Sequence, residues 1–100
     1  MKTTKSKKTA PFDPARYLDD DKAIAAYLSE ALEIGDASFL ADALGVVARA
    51  KGMSMIARET NLSRESLYRA LSADGNPEFS TVMSVMKALG VRLTASPLVA

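Results

Sequence analysis

The chain has 100 residues, 48% of them hydrophobic, with a formal net charge of +1, no cysteine, no histidine and no tryptophan. That length suits one modest core, and the missing residue types exclude disulfides, thiolate or imidazole metal sites and the usual general base, so neither a cofactor nor catalysis is expected. No apolar run approaches the roughly 20 residues a membrane span requires, and the N-terminal lysines have no apolar stretch behind them, so a cytoplasmic protein is expected.

The charge is unevenly spread. Residues 1–10 carry four lysines and no acid, residues 11–47 carry two basic groups against eight acids, and residues 48–100 carry seven basic groups against four acids. An acidic half beside a basic half suggests two partners, with the basic half facing phosphate.

Residues 1–10, MKTTKSKKTA, are basic and aperiodic and read as a disordered tail, either a solubilising one or an arm that adds phosphate contacts. Residues 11–100 read as a single domain. In FDPARYL, Phe12 and Tyr17 bracket Pro14 and are expected to pin the segment onto the first helix. Asp19, Asp20 and Asp21 suit a helix N-terminus, where the macrodipole is positive. The spacing predicts a helix over 21–34, with Ile24, Tyr27, Leu28, Ala31 and Leu32 on one stripe and Gly35 as its stop.

Asp36 is expected to cap a second helix, 36–51, which buries Leu40, Ala43, Leu44, Val47 and Ala48 and ends at Gly52. Gly45 inside it costs up to about 1 kcal/mol relative to alanine and marks a close helix contact. The most telling stretch is SMIARETNLSRESLYRALS, residues 54–72, which fits a helix-turn-helix. Its first helix, 54–60, turns Ile56 and Ala57 inward; Asn61 takes the turn, because asparagine tolerates positive φ, and Leu62 plugs the corner.

Ser63 is a natural N-cap for the second helix. At 3.6 residues per turn Leu67, Ala70 and Leu71 fall on one side and Arg64, Glu65, Tyr68 and Arg69 on the other. Such a row of donors, one acceptor and one aromatic can reach base edges or phosphates in a major groove; it can equally be a solvated face with a Glu65–Arg69 ion pair. The candidate DNA-binding residues are Ser54, Ser63, Arg64, Glu65, Tyr68 and Arg69.

SADGNPEF then reads as a turn-rich loop, followed by a helix over 81–89 with Ser80 as cap, Val82, Met83, Met86 and Leu89 inward, and Gly90 as stop. Beyond Gly90 the period becomes alternating, with Val91, Leu93 and Ala95 opposed to Arg92 and Thr94. That pattern predicts a lone strand paired within the chain or with a second subunit, or an irregular tail laid on the monomer. The elements make an all-α chain of five helices closed by a short C-terminal β-strand.

With these pieces in place the chain resembles the addiction-module antidote proteins, small phage-repressor-like (HigA-like) helix-turn-helix regulators. The resemblance covers residues 12–95: FDPARYLDDDKAIAAYLSEALEIGD, then LGVVARAKGMSMIARETNLSRESLYRALS, then DGNPEF followed by TVMSVMKALGVRLTA. The sequence departs from the family in carrying Asn61 where the turn most often has glycine. The resemblance implies an antitoxin that neutralises a small basic toxin of the RelE/ParE/HigB kind and represses its own operon by binding double-stranded operator DNA, as helix-turn-helix homodimers commonly do.

The acidic group Asp19, Asp20, Asp21, Glu30, Glu33 and Asp36 is then a candidate docking face for a basic toxin, or only helix N-terminal acids and a solvated helix face. The alternatives to an antitoxin are a stand-alone transcriptional regulator and an interaction module that no longer binds DNA.

Overall fold

A computed structural model describes residues 20–99. The basic tail, the FDPARYL segment and Asp19 lie outside the described residues. Five helices follow: α1 Asp21–Ile34, α2 Ala37–Lys51, α3 Met53–Thr60, α4 Arg64–Ala70 and α5 Phe79–Leu89. Their ends answer to local chemistry. Asp20, with extended backbone, accepts from the Ala23 N–H at 2.7 Å and so satisfies one of the free donors of α1. Gly35 stops that helix in the left-handed region. Gly52 (φ 117°, ψ 109°) closes α2, donating to the Ala48 carbonyl at 2.9 Å, and opens α3, its own carbonyl accepting from Ile56 at 3.1 Å.

The second helix is the centre of the molecule and packs on all four of the others. The core joins Ile24, Leu28 and Ala31 of α1 to Leu44, Val47 and Ala48 of α2, Met53 and Ile56 of α3, Leu67 and Leu71 around α4, and Val85, Met86 and Leu89 of α5. Among the described residues no polar or charged residue is buried. The fold therefore rests on apolar burial, at roughly 25 cal/mol per Å² removed from water.

Gly45 meets the end of α4, since a Cβ there would run into the backbone carbonyl of Leu71 and lie 3.2 Å from the Arg49 guanidinium. A clash with backbone does not relax cheaply, so the overpacking cost of about 1–3 kcal/mol exceeds the roughly 1 kcal/mol of helix propensity that alanine adds. Gly45→Ala is expected to lower the melting temperature by several degrees, read by circular dichroism; a gain would mean that the Leu71 turn moves aside freely. The Ser38 hydroxyl ties the same region together by donating to the Ala73 carbonyl at 2.9 Å.

Tyr27, half-buried on α1, has its phenol pKa raised by burial and by the Asp42 carboxylate, with Arg49 acting the other way. The folded chain therefore keeps a proton that the unfolded chain loses above about pH 10, and stability falls as pH rises through that range. Tyr27→Phe is expected to remove that part of the alkaline loss, which urea midpoints at about pH 8 and about pH 10.5 measure.

Several expectations need correction. Leu32 is 38% exposed and lies off the α1 stripe, which keeps Ile24, Leu28 and Ala31 buried with Tyr27 packed partly buried against the core. Asp36 holds the N-cap position of α2 through its backbone, the carbonyl accepting from Leu40 at 2.9 Å, and its carboxylate makes no capping bond. The fifth helix begins at Phe79 rather than Thr81, because the Glu78 carbonyl already accepts from Val82 at 3.0 Å; Ser80 thus sits in the first turn instead of capping it. Met83 is 46% exposed and Val85 is buried in its stead, the inward row being Val82, Val85, Met86 and Leu89.

No β-strand is present among the described residues. After Gly90 the chain runs on without regular structure, its first step fixed by the Val91 N–H donating to Met86 at 3.0 Å. The alternation survives as burial, Val91 and Leu93 packing on the core while Arg92 and Thr94 face solvent, but Ala95 is exposed. A strand is defined by its ladder, and side-chain alternation does not supply the partner.

Candidate nucleic-acid interface

The outward face is created by what lies beneath it. Asn61 adopts φ 62° and ψ 33° and is the only non-glycine with positive φ among the described residues. Asparagine is among the few residues that hold this conformation at modest cost, so the turn keeps its left-handed geometry without a glycine. The Leu62 N–H donates to the Ala57 carbonyl at 3.2 Å, and Leu62 packs against the core, closing the corner as expected. The Thr60 hydroxyl donates to the Ile56 carbonyl at 2.7 Å and steadies the last turn of α3.

Ser63, in extended conformation, then caps α4: its Oγ accepts from the Ser66 N–H at 3.0 Å and donates to the Ser66 hydroxyl at 2.9 Å. With the first turn satisfied, a helix of only seven residues is held by burial of Leu67 and Leu71, both at 0% exposure. It ends at Ala70, because Leu71 leaves helical geometry at φ −99°, ψ 62° while its N–H still donates to the Leu67 carbonyl at 2.8 Å.

Fixing Leu67 and Leu71 inward fixes the other face outward. Arg64, Glu65, Tyr68 and Arg69 are all exposed on α4, Tyr68 at 42%. Ser54 is exposed in the first turn of α3, and Ser63 is exposed at the cap between the helices. All six candidate residues therefore stand on the surface of one α3–turn–α4 unit. Two more stand with them. Arg58, exposed one helical turn beyond Ser54, was signalled by the i, i+4 spacing; Ser66, exposed beside Glu65, was signalled only by its place opposite the inward leucines. Chemically the face offers guanidinium donors, hydroxyls, one carboxylate acceptor and one aromatic ring. Among the described residues no group of three or more His, Cys, Asp or Glu could hold a metal ion, and no helix is long and apolar enough to cross a membrane.

Comparison with known proteins adds the context. No solved structure matches the chain. An uncharacterized protein of Haemophilus influenzae is 49% identical over 81 residues, covering 81% of this chain and 84% of that one. A family model described as "Probable addiction module antidote protein" matches residues 8–97. That match takes in every helix and the whole α3–turn–α4 unit, and the chain belongs to this addiction-module antidote family.

Proposed function

We propose that this chain is a HigA-like, phage-repressor-like antitoxin that binds and neutralises a small basic toxin of the RelE/ParE/HigB kind and represses its own operon through operator DNA. The observation that carries the DNA half is the α3–turn–α4 unit, in which the left-handed Asn61 and the Ser63 cap present Arg64, Glu65, Tyr68 and Arg69 on an exposed short helix. A helix so mounted suits a major groove, with its side chains toward base edges, and Ser54, Ser63 and Arg58 are assigned in this reading to flanking phosphates. The toxin half is supported by the antidote family. Both tasks are binding tasks, suited to the cytoplasm and needing no catalytic group.

The active form in this reading is a homodimer. Half-sites one helical turn apart, about 34 Å, call for two copies, and Phe79 and Met83, one turn apart on α5 and 69% and 46% exposed, offer apolar surface for a second chain. The test is coexpression with the product of the adjoining reading frame, followed by copurification, growth measurement and fluorescence anisotropy on the upstream DNA at rising salt. An antitoxin restores growth, copurifies and binds that DNA with a steep salt dependence. A stand-alone regulator binds the DNA alone, and a chain that binds neither overturns the proposal.

A further inference from the structure

The turn between α1 and α2 carries a surface that neither the core nor the α3–turn–α4 face uses. Leu32, Ile34 and Phe39 fall within eight residues and are 38%, 60% and 46% exposed. A hollow of about 210 Å³ opens at the turn, lined by Ala31, Leu32, Gly35, Asp36, Ala37 and Leu40. Exposed large apolar side chains rimmed by polar ones mark interaction surfaces. The charged side chains of this stretch are all acidic: Glu30, Glu33, Asp36 and Asp42 are exposed, and residues 23–48 hold no lysine or arginine.

The fold does not account for the two glutamates. Asp20 caps α1 and Asp21 lies in its first turn, where the macrodipole favours a negative charge. Glu33, in contrast, stands in the last turn of α1, with Glu30 just before it and no basic residue in that turn, at the end where the macrodipole disfavours a carboxylate. Asp36 makes no side-chain capping bond, although at the N-cap of α2 its charge lies at the favourable end of that helix. Ile34 and Phe39 are thus exposed beside a turn whose two glutamates, Glu30 and Glu33, do nothing to stabilise the helix that carries them.

We infer that this corner is the toxin-docking face, and that it takes a basic protein surface whose lysines or arginines surround a projecting apolar side chain. The inference rests on the antitoxin reading above and names the surface that performs it. The apolar centre supplies affinity, and the acidic side chains supply orientation and encounter rate.

The test uses the full-length chain and, as probe, the purified product of the adjoining reading frame, with surface-plasmon-resonance kinetics. Ile34→Ser with Phe39→Ser is expected to raise Kd at least about tenfold, mainly through faster dissociation. Glu30→Lys with Glu33→Lys, which disturbs no packing, is expected to slow association about tenfold at low salt, the effect shrinking as salt rises. Neither should lower the melting temperature or weaken affinity for the upstream DNA; the charge reversal at the C-terminal end of α1 should raise both slightly. Wild-type kinetics in both variants overturn the docking face while leaving the antitoxin reading intact; so does loss of self-association with unchanged toxin affinity, which would assign the corner to a second copy. A wild-type chain that does not bind the probe overturns the antitoxin reading and the docking face with it.

Discussion

Leu67→Ala is expected to cost about 2–5 kcal/mol and to leave a large part of the population unfolded at ambient temperature. Leu67 is fully buried, and it is the only buried residue within α4 itself. Truncating it removes the transfer free energy of the lost atoms and leaves a cavity between a seven-residue helix and the helices beneath, with no second buried anchor in that helix. Total stability for domains of this size runs about 5–15 kcal/mol, so such a loss is a large fraction of the whole. Urea denaturation followed by circular dichroism measures it. A midpoint near wild type would mean that α4 is held from its ends, by the Ser63 cap and by Leu71, and that Leu67 adds little. The comparison with Gly45→Ala is informative, because that substitution strains the far end of the same helix through the Leu71 carbonyl.

What the sequence made legible was whatever is decided within one or two helical turns. The starts and stops at Asp20, Gly35, Gly52, Ser63 and Gly90 depend on a single side chain or a single φ, and they stand where residue type placed them. Asn61 is of this kind, since the identity of one residue announced a left-handed turn. Gly45 also belongs here: its unfavourable place in a helix pointed to a close contact, although the contact proved to be with the Leu71 carbonyl, which no local pattern specifies.

What depended on packing between distant segments was less visible. Periodicity gave an apolar arc on α5 wide enough to hold either Met83 or Val85, and only the position of the neighbouring helices decides which enters the core. The same holds for Leu32 on α1. The alternation after Gly90 recorded which side chains turn inward, but a ladder needs a partner strand that sequence spacing cannot name. The six candidate DNA-binding residues were legible because an outward face is the complement of an inward one. Arg58 was equally legible, since its i, i+4 spacing from Ser54 places it on the same side of α3. The docking corner was half legible: the acids stood out as a block, whereas the exposure of Leu32, Ile34 and Phe39 could not be told from burial by pattern alone.

Arg64→Ala combined with Arg69→Ala is expected to abolish most of the affinity for upstream DNA while leaving fold and toxin binding near wild type. Both side chains are exposed, and both lie outside the Leu67–Leu71 packing that holds α4. Removing them therefore costs little stability; exposed substitutions of this kind stay within about 0.5 kcal/mol. Each has a distinguishable signature. A guanidinium that reads a base loses about 1–3 kcal/mol on truncation and relaxes preference at one position, whereas one that meets a phosphate lowers affinity for every sequence and flattens the salt slope by about one. If both read bases, the double loss reaches about 2–6 kcal/mol, a factor of roughly 30 to 10⁴ in Kd. The single variants, measured by anisotropy at several salt concentrations on the upstream DNA and on a scrambled duplex, separate the two roles. Toxin kinetics on the double variant provide the control, because the proposed docking face is built from residues of α1 and the start of α2 and includes neither arginine. Unchanged affinity for the upstream DNA would remove α4 as the recognition helix, and loss of the toxin together with the DNA would show that one surface serves both partners.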